Sequence, residues 1–284
     1  MIDAPPRKRR RRPAGPPMLE RGAVLARGYT VVEALSRGHY LDVYDVWSSE
    51  RGSRCVAKLV RPDRLCELRE RSRLLREGRL LLELSHPHIV RAYELVRRPQ
   101  PIVILETLTG ATLERLIQDR ARRLAADDIA ILGVQLCSAI RYLHGRGYLH
   151  LDVKPANIVV DGFAKLIDLS IARKPGYVKR GPGTRVYMSP EQARGGVLGP
   201  AADVWGIGIV VYEAAAAYRP TKGPEEFPQL LRRLESIRCH RRLPRALADA
   251  IDACLEPEPD ARPTVEELSA ALEPFCGAGA LAGL

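Results

Sequence analysis

The order of local patterns along the chain constrains its fold more than any single residue does. Between residues 29 and 60 three strand-like runs, YTVVEAL, LDVYDVW and SRCVAKLV, follow one another, the first two joined by SRGHY. After Pro62, Asp63 is expected to cap a long helix with an apolar stripe of Leu65, Leu68, Leu74, Leu75, Leu81, Leu82 and Leu84, ended by Pro87. Two more strands are expected near residues 90–95 and 102–105, and beyond them the pattern turns helical. Asp127 is expected to cap a helix whose Ile129, Leu132, Leu136, Ile140 and Leu143 share a face, with Gly145 as its stop. Two short strands, NIVV and AKLID, flank a turn at Asp161 and Gly162. Residues 201–218 are apolar nearly all round, the mark of a helix buried at the centre of its lobe. Thr264 and Glu267 form a capping box for the last helix. A strand-rich first third followed by a helix-rich remainder implies an α+β chain of two lobes with a cleft between them.

Composition bounds the partners. The net charge of +11 suggests nucleic acid until it is located: Arg7, Lys8, Arg9, Arg10, Arg11 and Arg12 carry six positive charges in one proline-flanked segment. Residues 1–27 are expected to be a disordered basic arm. Such an arm attracts acidic proteins, anionic lipid or nucleic acid through counterion release, and it lacks the interleaved aromatics that sequence reading needs. A translation start at Met18 would remove the basic run. No stretch approaches the roughly 18 apolar residues of a membrane span, and the N-terminus lacks a signal peptide's apolar region, so the expected location is cytoplasmic. The six cysteines form no C-x-x-C pair and are expected to be buried, reduced thiols. Arginine outnumbers lysine 38 to 7, which makes each lysine informative and resembles the style of a GC-rich bacterial genome.

Residues 150–157 read HLDVKPAN, a loop between apolar segments, and Asp168 ends the next strand. Phosphoryl transfer needs cations for the phosphates, oxygen ligands for magnesium and a group that orients the attacking hydroxyl. Asp152, Lys154, Asn157 and Asp168 together supply that set. The stretch from Tyr29 to Phe275 resembles the eukaryotic-like serine/threonine protein kinases, in which a β-rich N-lobe with one long helix sits on a larger helical C-lobe. The resemblance implies an N-lobe and hinge over 28–108, a C-lobe over 109–276 and a short tail over 277–284.

By that resemblance Asp152 would orient the substrate hydroxyl, Lys154 would contact the transferred group, and Asn157 and Asp168 would hold Mg2+ or Mn2+. Lys58 of CVAK would grip the ATP phosphates, and Glu77, nine residues before His86 of HPHIV, would pair with it. ILETL looks like the hinge, with Leu105 guarding the back pocket. The ATP-binding set implied is Leu35, Gly38, Val43, Val56, Lys58, Leu105, Glu106, Leu108 and Val159. In GTRVYMSPEQ, Thr184 would border the substrate site and Glu191 would pair with Arg262 of DARPT. Asp203 would brace the catalytic loop from beneath, and Leu169 would pack against Leu81 and His150.

Departures from the family pattern carry their own expectations. The glycine-rich loop reads Ser36, Gly38 and Leu41 at its three glycine positions, which implies weaker ATP binding. The metal motif is DLS, and Ser170 in place of a flexible glycine should hinder outward flipping of Asp168. Leu151 stands where an arginine usually binds an activation-segment phosphate, and between Ile171 and Gly183 the only hydroxyl is Tyr177. Activity without phosphate priming is therefore expected. Arg173, Lys174, Lys179, Arg180 and Arg185 make the segment basic, which favours acidic substrates. Two rival readings are a pseudokinase that binds without catalysis, favoured by the degenerate lid, and a small-molecule phosphotransferase, disfavoured by HPHIV, GTRVYMSPEQ and DVWGIG.

Overall fold

The computed structural model describes residues 15–119, 123–179, 181–223 and 225–277. The basic run 7–12, Arg180 and most of the C-terminal tail lie outside them. Period-2 alternation builds the first lobe. Strands β1 (Val24–Ala26), β2 (Tyr29–Arg37), β3 (Leu41–Ser48), β4 (Ser53–Val60), β5 (Ala92–Val96) and β6 (Ile102–Glu106) form one antiparallel sheet in the order β1-β2-β3-β4-β6-β5. On β4, Cys55, Ala57 and Leu59 join Tyr44, Val46, Ile102 and Ile104 in one apolar cluster. Val56, Lys58 and Val60 alternate with them, and Val60 joins Val103 and Leu105 in the core that continues into the second lobe.

That first cluster corrects the expected arm. Met18, Ala23, Leu25 and Ala26 pack against it, and Arg37 donates to the Pro16 carbonyl at 2.6 Å. Proline and arginine dominate the average composition of 1–27, but a few apolar residues suffice to cover an apolar sheet face. Residues 15–27 therefore belong to the folded lobe.

Helix α1 (Leu68–Glu83) packs on the other side of the sheet and buries Leu74, Glu77, Gly78, Leu80 and Leu81. The stripe is narrower than expected, since Leu68 and Leu82 are exposed. Asp63 does not cap the helix. It lies in a 3-10 turn, Pro62–Arg64, and its carboxylate is taken by Arg61 at 2.9 and 3.0 Å.

In the second lobe, β7 (Ala111–Thr112), β8 (Ile158–Val160) and β9 (Ala164–Leu166) form a small sheet, and β10 (Gly176–Val178) pairs with β11 (Gly196–Leu198). The helices are α2 (Leu113–Asp119), α3 (Ala126–Gly145), α4 (Pro190–Arg194), α5 (Ala201–Ala216), α6 (Pro228–Leu231), α7 (Arg245–Ala253) and α8 (Val265–Leu272). Asp127 sits inside the first turn of α3 rather than capping it, with Ala125 in the cap position. A carboxylate there still favours the helix dipole. The expected face of α3 is buried, α5 is buried on nearly all sides, and the Thr264–Glu267 capping box is present. Cys55, Cys137 and Cys254 are buried, but Cys66 and Cys239 are exposed and Cys276 is half-buried, which corrects the expectation of uniformly buried thiols. All six are free. Among the described residues no helix is long and apolar enough to cross a membrane.

Candidate active site

Strand register delivers the cleft residues. Val43 lies opposite Lys58, and Val56 opposite Leu105, so β3, β4 and β6 carry these positions side by side. Gly78 then lets α1 approach the sheet, because a Cβ there would stand 2.8 Å from Leu95 and 2.9 Å from Val103. The approach brings Glu77 to Lys58, with Nζ 2.8 and 3.0 Å from the two carboxylate oxygens and 3.2 Å from Oδ1 of Asp168. Burial pushes the Glu77 carboxyl up to about 7 against the pull of Lys58. Burial acts to lower Lys58, yet Asp168 and Glu77 outweigh it and hold the ammonium above its usual value. Burial likewise opposes ionisation of Asp168, but Lys58 and the Ser170 N–H hold that carboxyl well below the usual range. One cation thus faces two carboxylates, of which Glu77 is the more readily protonated.

The second lobe builds the other wall. Asp203, in the first turn of α5, accepts the backbone N–H groups of His150 at 2.8 Å and Leu151 at 2.7 Å, and also contacts His144 Nε2 at 2.9 Å. These contacts hold Leu151 at φ 66°, a left-handed conformation that costs roughly 1–2 kcal/mol for a non-glycine residue. His150 is fully buried, burial lowers its pKa, and its Nδ1 accepts the Asp152 N–H at 3.2 Å. Leu169 and Leu81 belong to one buried core.

Around Asp152 four donors converge. Lys154 reaches Oδ2 at 2.8 Å and Asn157 Nδ2 reaches the same oxygen at 3.0 Å, while Oδ1 takes both the N–H and the hydroxyl of Thr184 at 2.8 Å. Lys154 also bonds the Thr184 hydroxyl at 2.6 Å. Asn157 and Asp168 are tied together by the Ile167 N–H, which donates to the Asn157 carbonyl at 3.0 Å. Among the described residues Asp168 Oδ2 and Asn157 Oδ1 have no hydrogen-bond donor. These two oxygens, one from a carboxylate and one from an amide, fit Mg2+, which takes one or two protein carboxylates and completes its shell with phosphate and water.

At the hinge, Leu105 is buried, while Glu106 is bound by Lys165 at 2.6 Å and by the Arg91 N–H at 2.9 Å. Glu106, Leu108 and Val159 line a cavity of about 170 Å³. Leu35 is exposed on β2, and Gly38 closes the β2–β3 hairpin by donating to the Leu41 carbonyl at 2.8 Å. Leu41 is half-buried and turned toward the core. Glu191 and Arg262 form a two-pronged pair, 2.8 Å in each arm, with the guanidinium stacked on Trp205.

Sequence reasoning missed two residues that fix this geometry. Gln192 donates to the carbonyls of Leu151 and Pro182, both at 2.9 Å, which ties the catalytic loop to the segment after Asp168. Arg73 of α1 donates to the carbonyl and hydroxyl of Ser170, each at 2.9 Å. Distant backbone acceptors leave no periodic trace in a sequence.

Comparison with known proteins agrees with this arrangement. The model of the protein kinase domain matches residues 29–272. Similar proteins include the serine/threonine-protein kinase PkaA of Streptomyces coelicolor, 32% identical over 70% of this chain and 39% of that protein. The serine/threonine-protein kinase RUNKEL of Arabidopsis thaliana is 31% identical over 73% of this chain and 15% of its own length. CBL-interacting protein kinase 4 of rice is 30% identical over 88% and 58%. The chain thus spans well under two thirds of the length of these relatives. With a family match across both lobes and the cleft between them assembled, the chain belongs to the protein kinase domain family.

Proposed function

We propose that this chain is a serine/threonine protein kinase that transfers the γ-phosphoryl group of ATP to protein hydroxyls. Protein kinases as a family use ATP and a divalent metal. The observation that carries the reading is buried Lys58, held at 2.8 Å from buried Glu77 and 3.2 Å from the partly exposed Asp168. Lys58 binds the ATP phosphates, Leu105, Glu106 and Leu108 line the adenine end with Val43, Val56 and Val159, and Asp168 with Asn157 hold the metal. Bound Mg2+ neutralises charge on the phosphates. Asp152 orients the acceptor hydroxyl and takes its proton as the new O–P bond forms and the bond to ADP breaks, while Lys154 offsets charge on the transferred group. Thr184, bonded to both Asp152 and Lys154, supports serine and threonine as the acceptors.

We further propose that no activation-segment phosphate is needed, that exposed Arg173, Lys174 and Lys179 favour acidic substrates, and that the domain works in the cytoplasm. The basic run 7–12 would add a non-specific contact to acidic partners. Arg185 contributes less, since it pairs with Glu226 at 3.1 Å. The test is Mg2+-dependent transfer of labelled phosphate from ATP to serine and threonine peptides, lost in Asp152→Asn and Asp168→Asn. The Ser36 and Leu41 substitutions favour one alternative, a nucleotide-binding scaffold. That reading requires nucleotide binding with no transfer in the unaltered protein.

A further inference from the structure

Three consecutive residues of the metal motif are each held by α1 or by its partner lysine. Asp168 bonds Lys58, itself gripped by Glu77. The Leu169 N–H donates to Glu77 Oε1 at 3.3 Å. Ser170 takes two bonds from Arg73, its carbonyl from Nε and its hydroxyl from Nη2, both at 2.9 Å. The Ser170 N–H in turn donates to Asp168 Oδ1 at 2.8 Å. Arg73 lies four residues before Glu77, so both side chains leave the same face of α1 one turn apart. Arg69, Arg76, Arg173 and Lys174 line the same cavity beside it, and none of them has a carboxylate within 4.0 Å among the described residues. Arg73 alone of these five is bonded to the motif, and its one carboxylate neighbour, Glu70, is a distant 3.7 Å away.

We infer that Arg73 is a positioning residue for phosphoryl transfer: its two-pronged grip on Ser170 aims the Ser170 N–H at Asp168 and locks α1 to the metal motif. This rests on the kinase reading above and deepens it. The planar guanidinium supplies two donors in fixed relation, one for the carbonyl and one for the hydroxyl. A glycine at position 170 would leave only the carbonyl arm. The clamp ties the Glu77-bearing helix and the metal-binding carboxylate into one unit, using only groups that the chain itself carries. With Leu151 unable to hold a phosphate, such a built-in tie keeps α1 and Asp168 in register without a modification.

The expected outcome for Arg73→Ala is a loss of about tenfold in kcat, set by two hydrogen bonds from a charged donor. The Mg2+ concentration at half-maximal rate should rise several-fold while the KM for peptide holds. Arg73→Lys should rescue poorly, because one ammonium cannot reproduce the fork. Ser170→Ala should show a smaller loss, and combining it with Arg73→Ala should add little. Two readouts need no turnover. Hydrogen exchange should quicken at the amides of Leu169 and Ser170 and along α1. The gain in affinity that Mg2+ gives a non-transferable ATP analogue should shrink in calorimetry. Unchanged exchange and unchanged Mg2+ dependence in Arg73→Ala, or strictly additive losses in the double variant, would overturn the inference. If Arg73→Ala does not fold, Ser170→Ala and Ser170→Gly carry the same readouts. Failure of the unaltered protein to transfer phosphate overturns the kinase reading instead, and the exchange and calorimetric arms still decide the role of Arg73.

Discussion

Leu151 of the catalytic loop and Val178 of β10 lie in one buried apolar cluster with Leu149, Leu198 and Ala202, and Ile171 packs against it. The activation segment is therefore pinned where a phosphate-binding arginine would otherwise act. Backbone pairing extends the link, with Leu149 and Arg173 exchanging hydrogen bonds at 2.7 and 3.0 Å. Phosphatase treatment should leave activity unchanged. Val178→Asp places an unpartnered carboxylate in the cluster, so activity should fall more than about tenfold and protease cleavage within 171–183 should increase. Val178→Ile should be tolerated. Loss of activity on removing a phosphate mapped to 171–183 would contradict this account.

The Lys58–Glu77–Asp168 cluster predicts opposite pH trends for activity and stability. Glu77 is raised from 4.5 to about 7, chiefly by burial. Below about 7 the folded protein holds a proton on Glu77, which weakens its grip on Lys58, so kcat/KM for ATP should fall as pH drops through about 7. The unfolded chain releases that proton near 4.5, so between 4.5 and 7 the folded form binds more protons and stability falls as pH rises. Glu77→Gln should flatten both trends in this window. Parallel rate and melting profiles from pH 5 to 8 check the signs, and matching directions would refute the assignment.

How much of this was legible before the structure follows from how local each signal is. Lys58, Asp152, Lys154, Asn157 and Asp168 sit in short motifs at fixed separations, and strand register and loop bracing bring them together. The caps at Asp63 and Asp127 misled because the rule is local. Arg61 takes the first carboxylate, and α3 starts one residue earlier than Asp127. Residues 15–27 misled because composition averages over a segment, whereas burial selects Met18 and Leu25 individually. Arg73 and Gln192 act on main-chain atoms 97 and 41 residues away, and an acceptor that every residue possesses cannot mark its partner.

Gly78 sets the distance between α1 and the sheet. Replacing it with alanine gains about 1 kcal/mol of helix propensity, and the added methyl meets the end of Leu95 and a branch of Val103 at 2.8 and 2.9 Å. The end of Leu95 can swing aside, but the stiff and fully buried Val103 has little room to withdraw, so Gly78→Ala should lower the melting temperature modestly. Gly78→Leu overfills the same contact at about 1–3 kcal/mol and should push Glu77 from Lys58. The expected readout is a raised KM for ATP with a lower melting temperature, and an unchanged KM in a folded Gly78→Leu protein would count against the close approach.

Glu191 and Arg262 provide the sharpest contrast between buried and exposed charge. The Arg262 side chain has no solvent exposure, and besides Glu191 it donates to the carbonyls of Ala201 and Glu256 at 2.8 Å. Removing one partner of such a pair strands the other at about 3–5 kcal/mol, so Glu191→Gln should lower the melting temperature by about 10 °C. Arg262→Lys should fare no better, because an ammonium cannot reproduce the fork or the stack on Trp205. At the surface, Arg115 and Asp119 are 74% and 64% exposed and 3.0 Å apart. Asp119→Asn should cost less than about 0.5 kcal/mol. Raising salt should erase that small difference and leave the Glu191→Gln loss intact, since a desolvated pair is poorly screened. Equal losses at the two sites, or a Glu191→Gln effect that salt abolishes, would show that Arg262 is not buried against its carboxylate.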